Sequence, residues 1–133
     1  MRIYDALLAY EAVKVLTEDE PTVDMVEWVA DPDNIFLVNE CGDLSLFEHH
    51  ENAKVVTGHY YFKSRGKRAV QSAKDFLTEV FYLGVQAIVG KTPIRNLGAR
   101  WMSRHLGFTS YGVVQTFKEP CELFIMHHTE FTR

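Results

Sequence analysis

Residues 55–90 constrain the fold more than any other stretch of this chain. "VVTGHYYF" (55–62) is rich in β-branched and aromatic residues and reads as a strand. Residues 69–82 then place Val70, Ala73, Leu77, Val80 and Phe81 on one face of a helix. "VQAIVG" (85–90) is a nearly continuous apolar run, the pattern of a buried strand flanked by a helical crossover. Strand, helix, strand in this span is one βαβ unit. Its two strands lie parallel in one sheet and its crossover is right-handed.

The rest of the chain arranges itself around that unit. Residues 3–16 put Ile3, Leu7, Tyr10, Ala12, Val13 and Leu16 at helical spacing. "EDEP" breaks this first helix, and Thr22 reads as the N-cap of a second, "VDMVEWVA", ended by "DPDN". "NIFLVNE" (34–40) and "LSLFEHHE" form a hairpin across "CGD", with Leu44, Leu46 and Glu48 expected on one face and Ser45, Phe47 and His49 on the other. After "VQAIVG", "KTPIRN" reads as a loop. "LGARWMSRHL" is a helix terminated by Gly107, and "FTSYGVVQTF" and "CELFIMHHTEF" are closing strands joined through "KEP". The predicted order is ααβββαβαββ: an α/β fold with a single mixed, mostly antiparallel sheet, one central βαβ unit and flanking helices.

Composition narrows the function classes. At 133 residues, one domain covering 1–133 is expected, with enough core to fold without metal or disulfide. Cys41 and Cys121 have no short spacing, so they form neither a zinc ligand set nor a disulfide framework. The N-terminus carries acids inside its apolar pattern and lacks the features of a signal peptide. No stretch reaches the roughly 20 apolar residues of a membrane span, so a cytoplasmic chain with no membrane partner is expected. The net charge of −4 argues against a general nucleic-acid binder, though not against a local basic patch.

Such a patch follows the third strand. Lys63, Arg65, Lys67 and Arg68 surround Gly66 just ahead of the 69–82 helix. A strand leading through a glycine-bearing loop into a helix N-terminus is a physical recipe for binding anions, because unpaired N–H groups and the positive dipole end face the ligand. Cations on the loop add point charges and fork donors. A solvated charged turn is the plainer alternative.

A second motif lies one strand later. In "RNLGARWMSRHLGF", Asn96, Ala99, Met102, Leu106, Gly107 and Phe108 follow the spacing N-x-x-A-x-x-Φ-x-x-x-L-G-F, with Φ apolar. With the upstream "RGK" and the preceding strand "VQAIVG", this resembles the GCN5-related N-acetyltransferase (GNAT) superfamily, whose acyl-CoA N-acyltransferase-like fold matches the predicted element order over nearly the whole chain. The usual first strand is missing or unrecognised. The small, trimmed length is similar to compact acetyltransferase-like proteins encoded by phages.

The resemblance implies acetyl-CoA as co-substrate. The family loop Q/R-x-x-G-x-G/A holds the pyrophosphate through backbone N–H groups. Arg65, Gly66 and Lys67 match the start of its R-G-K-G-x-G/A form. Arg68 stands where glycine is expected and Val70 where glycine or alanine is expected, while a one-residue shift puts Ala69 at the last small position. Arginine at 68 either crowds the pyrophosphate or binds a phosphate itself. The strand holding Tyr60, Tyr61 and Phe62 is implied to bond the pantetheine arm through its backbone, and the next strand to splay away. Asn96, with Ala99 a turn later, is implied to contact the cofactor; a helix cap is the alternative for Asn96.

Acetyl transfer to a primary amine needs a base, an oxyanion-stabilising dipole and an acid for the leaving thiolate. His59 lies just ahead of the cationic loop and suits base work near neutrality; Glu48, His49 and His50 are weaker candidates. Many family members place a tyrosine acid seven residues after the asparagine. Ser103 stands there in this chain, so the proton comes from Ser103, from water, or from Tyr111 on the next strand. "HH" recurs at His127 and His128, but those residues and His49 and His50 lie on strands expected not to be neighbours, so no metal is expected.

Lys91, Arg95, Arg100 and Arg104 are expected either to form a basic patch near the cofactor mouth or to line a solvated helix face. Direct attack of the amine in a ternary complex is the leading expectation, its acceptor a small molecule or protein. The alternatives are a catalytically degenerate binding or structural protein of this fold, such as a phage or virion component, and an RNA or DNA binder using residues 63–68 with Tyr60 or Tyr61 for stacking. The closing strands either extend a homodimer sheet or close the core.

Overall fold

The computed structural model describes residues 2–17, 24–51, 54–116 and 118–131. The elements follow the expected order: α1 (Ala6–Thr17), α2 (Met25–Ala30), β1 (Ile35–Val38), β2 (Leu44–His49), β3 (Val55–Tyr61), α3 (Gly66–Tyr82), β4 (Ala87–Pro93), α4 (Leu97–Leu106), β5 (Thr109–Gln115) and β6 (Pro120–His127), with a final 3-10 turn over His128–Glu130. The six strands form one sheet in the order β1-β2-β3-β4-β6-β5. Only β3 and β4 run parallel; the other neighbours are antiparallel.

Several boundaries differ from the sequence reading for local reasons. Helix α1 begins at Ala6 because Asp5 Oδ1 accepts from Leu8 N at 3.0 Å and so acts as its cap. Ahead of it, Arg2 bridges Leu37, and Ile3 N donates to Phe36 O at 2.7 Å. This short extended segment lies beside β1, where a first strand would add. Thr22 lies outside the described residues; the cap of α2 is Asp24, whose Oδ1 accepts from Val26 N and Glu27 N. Strand β4 runs on to Pro93, into the expected loop, because Lys91–Pro93 find partners in Leu123–Cys121 of β6.

The expected face alternation of β2 holds, but both of its faces are buried. Leu44 and Leu46 pack into a core with Ile3, Ala9, Val13, Met25, Trp28 and Phe36 beneath α1 and α2. Phe47 packs on the opposite face with Leu77, Val80, Ile88, Phe124 and Met126 beneath α3 and α4. Ser45 is buried as well. A strand with helices on both faces loses the polar side that alternation assumes. Strand β5, at the sheet edge, is by contrast exposed along nearly its whole length.

Candidate active site

The βαβ unit sets the site. Strands β3 and β4 pair at only three positions: Val55 with Ala87, Val56 with Ile88 and Thr57 with Val89. Beyond Thr57, β3 stays on β2 through Tyr61, while β4 stays on β6 through Pro93. The sheet therefore splays in its middle, leaving backbone groups on the facing edges without strand partners. A cleft of about 670 Å³ opens there, lined by Gly58–Tyr61 of β3 and the following Phe62, Ile88–Pro93 of β4, the start of α3 and one side of α4. A Cβ added at Gly90 would meet nothing within 4 Å, so the strand turns a bare backbone toward open space.

Helix α3 points its N-terminus at this cleft. It starts at Gly66, three residues earlier than its apolar periodicity predicts, with Arg65 as cap. Gly66 has φ +61, a left-handed conformation that costs glycine little and a side-chain-bearing residue more. The first N–H groups of the helix have no intrahelical acceptors. Arg65 curls over its own loop, Nη1 donating to Phe62 O at 2.8 Å and Ser64 O at 2.9 Å.

Of the residues expected to contact a cofactor, Tyr60, Tyr61, Phe62, Arg65, Gly66, Ala69, Asn96 and Ala99 line the cleft. Lys67 is exposed on the first turn of α3 and is not part of the lining. Arg68 is a correction. Its Nε donates to Cys41 Sγ at 2.9 Å, and its side chain lines a separate depression with Asn39, Glu40, Cys41 and Asp75. It neither crowds the cleft nor reaches into it. Asn96 fills the capping role, its Oδ1 accepting from Ala99 N at 3.1 Å, while still lining the cleft wall.

The catalytic candidates separate. His59 and Ser103 both line the cleft. His59 pairs with Leu46 across β2, so it projects on the α1/α2 face of the sheet, as does Tyr61 opposite Leu44. His59 is exposed, and partial desolvation by neighbouring atoms draws its pKa below the usual histidine value, against an opposing upward pull from the Glu48 carboxylate. Tyr111 stands on edge strand β5, 58% exposed and outside the lining. The pairing of β5 with β6 is interrupted there by a register shift between Ser110 and Val113, with Gly112 at φ 89. Tyr111 is not brought to the cleft.

His49 and His50 are held elsewhere. His49 Nε2 lies 2.5 Å from Asp31 Oδ2, and His50 Nε2 lies 2.6 Å from Thr57 Oγ1. Strands β2 and β6 are not neighbours, so the two histidine pairs do not meet. Among the described residues, Asp31, Asp33 and His49 bring ligand-type atoms within 4.8 Å of one another, with Asp33 exposed and the other two half-buried.

Arg100 and Arg104 form neither a basic patch nor a purely solvated helix face. Glu122 of β6 is 3% exposed and binds Arg100 Nε at 2.8 Å, Arg104 Nη2, and Ser110 Oγ at 2.5 Å. Burial pulls the Glu122 pKa upward, but Ser110, Arg100 and Arg104 outweigh it and hold it below the usual carboxylate range. Arg95 pairs with Glu119 at 2.7 Å. These cations fasten α4 and its leading loop to the sheet. The pattern missed the pairing because Glu122 lies some twenty residues away on another element.

Sequence reading also missed the residue that supports the cationic loop. Asp43, in "CGD", is completely buried. Its Oδ1 accepts from Lys63 N at 2.8 Å and Ser64 N at 2.9 Å, and its Oδ2 accepts from the Ser72 hydroxyl at 2.5 Å. The G-D pair after a strand signals only a turn, and nothing local distinguishes a solvated aspartate from a buried one.

The cleft combines three features. It offers unpaired strand edges for an amide-bearing arm, a helix N-terminus for an anion, and apolar walls from Phe62, Met102, Leu106 and Phe108. No protein-family model matches the sequence, and no curated protein matches it either. Solved structures do. A protein from Acinetobacter baylyi ADP1 described as an acetyltransferase superposes with a TM-score of 0.72 at 16% identity, covering 98% of this chain and 92% of its own. A protein from Chromobacterium violaceum described as a GNAT-family acetyltransferase gives 0.71 at 18%, covering 98% and 82%. The aminoglycoside acetyltransferase AAC(6')-Ib, in complex with coenzyme A and kanamycin, gives 0.67 at 18%, covering 98% and 93%. The splayed βαβ unit, the order of elements and these superpositions agree: this chain has the fold of the GNAT acetyltransferases.

Proposed function

We propose that this protein is an N-acetyltransferase that uses acetyl-CoA and acetylates a primary amine in a ternary complex. The observation that carries the reading is the splay of β3 from β4 beyond Thr57 and Val89, opening onto the N-terminus of α3. The amides at the start of α3 would hold the pyrophosphate, with Arg65 at the cleft wall and the exposed Lys67 adding positive charge from just outside it. The free edges of β3 and β4 would bond the pantetheine arm, and Asn96 would border it.

Acetyl-CoA supplies the activated acyl group. His59, which lines the cleft on the α1/α2 side of the sheet, would take the amine proton. Backbone N–H groups along the splay would stabilise the oxyanion. The thiolate would be protonated at Ser103 or through water, since Tyr111 lies outside the cleft. That placement of Tyr111 also favours a second reading, in which the fold binds a CoA thioester without turning it over.

Calorimetric titration with acetyl-CoA, followed by thiol-release assays across an amine panel, separates the readings. Micromolar binding with turnover supports the enzyme, and His59→Gln is then expected to lower kcat about 100-fold. Binding without turnover of any amine favours the second reading. No binding at millimolar acetyl-CoA overturns both.

A further inference from the structure

The turn between β1 and β2 grips the loop that leads into α3 at several points. Asp43 takes the Lys63 and Ser64 amides and the Ser72 hydroxyl, at 2.8, 2.9 and 2.5 Å. Asn39 sets the turn itself. Its Oδ1 accepts from Cys41 N at 3.0 Å and Asp43 N at 3.1 Å, while its Nδ2 donates to Ser72 Oγ at 2.9 Å. Cys41 Sγ accepts from Arg68 on the first turn of α3. Gly42 has φ +80, and a Cβ there would come within 3.2 Å of Lys63 Cδ, so the glycine also leaves room for the Lys63 stem.

A carboxylate buried next to an anion-binding loop needs a reason, because an uncompensated buried charge is costly and would oppose a nearby phosphate. Here the charge is spent on donors. With the Lys63 and Ser64 N–H groups turned inward to Asp43, the donors left for an anion begin beyond them, at the N-terminus of α3. Anchoring residues 63 and 64 below and Ser72 behind fixes the direction in which that terminus points.

We infer that Asp43 is a positioning residue for the pyrophosphate end of the cleft, holding the Lys63–Ser64 loop and α3 so that the first amides of α3 converge on the phosphates. The inference rests on the acetyl-CoA reading above. It assigns Asp43 no contact with the ligand.

Two ligands separate positioning from mere structural support: acetyl-CoA, and S-acetylpantetheine, which carries the same thioester arm without the pyrophosphate. Each is titrated into the wild-type chain, Asp43→Asn and Ser72→Ala, with amide resonances monitored by NMR. In Asp43→Asn, a neutral and weaker amide acceptor replaces the carboxylate and an NH2 group faces Ser72, so the Lys63 and Ser64 amides are expected to exchange faster and acetyl-CoA to bind about ten-fold more weakly, while S-acetylpantetheine changes less than about two-fold. Ser72→Ala keeps both amide bonds and is expected to weaken acetyl-CoA about three-fold, again sparing the fragment. Should Asp43→Asn not fold, Ser72→Ala still decides. Equal losses for both ligands, or a folded variant with wild-type acetyl-CoA affinity, would overturn the inference and leave acetyl-CoA binding standing. A wild-type chain that binds neither ligand would instead remove the acetyl-CoA reading, and the inference with it.

Discussion

Cations gather at the start of α3 and along α4, and the two sets do opposite things. On α4, Arg100 and Arg104 converge on the buried Glu122 and Arg95 pairs with Glu119, so the charge is consumed in fastening the helix to the sheet. Around the start of α3, no ion pair among the described residues holds Lys63, Arg65 or Lys67, and the carboxylate beneath the loop binds backbone amides instead. Cations neutralised by a buried partner contribute to stability. Cations left facing solvent at a helix N-terminus add to the local positive field and are available to an anionic ligand.

Removing Glu122 should break the contrast most severely. Glu122→Gln leaves two arginines without their counter-charge and is expected to cost about 3 kcal/mol of folding stability, read by denaturant unfolding. The same group fixes a pH dependence. Because the folded-state pKa values of Glu122 and Asp43 lie below their unfolded values, their contribution is complete above the unfolded pKa and is lost as pH falls through the folded one. The acid limb of the stability profile should therefore flatten in Glu122→Gln.

The loop before α3 should respond in the opposite manner. Arg65→Glu/Lys67→Glu is expected to weaken acetyl-CoA binding about 30-fold by calorimetry, with stability changed by less than about 0.5 kcal/mol. A variant that loses stability and keeps affinity would show that these cations, too, are structural. At the α4 cap, Asn96→Ala removes the bond to Ala99 N and should cost about 1 kcal/mol. The smallest effect belongs to Arg68→Gln. Its guanidinium is turned to Cys41, so acetyl-CoA affinity should stay within about two-fold of wild type despite the residue's place in the cationic run.

The order of elements was legible because each rests on local chemistry. The 3.6-residue spacing in α3, the β-branched and aromatic run of β3, and Gly107 at φ +100 ending α4 all read correctly from neighbours in the chain. The candidate site was legible in part. Eight of the ten residues expected to contact a cofactor line the cleft, because strand and helix-terminus positions around a βαβ unit are fixed by the unit itself. Arg68 and Tyr111 were misplaced for another reason. Where a long side chain on a helix surface turns, or where a strand bulges, depends on partners elsewhere in the fold.

By itself, then, the sequence determined the α/β order, the parallel pairing at the centre of the sheet, and a glycine-bearing cationic loop at a helix N-terminus. Tertiary structure alone decided where β3 and β4 part company, since that depends on β2 and β6 each holding one strand. It also decided which charges are buried. Asp43 and Glu122 look like ordinary surface acids in the chain, and become buried anchors only when a hairpin and an edge pair of strands bring them under the two helices. Local propensity acts between neighbours, whereas burial and charge pairing act between segments whose distance the chain does not record.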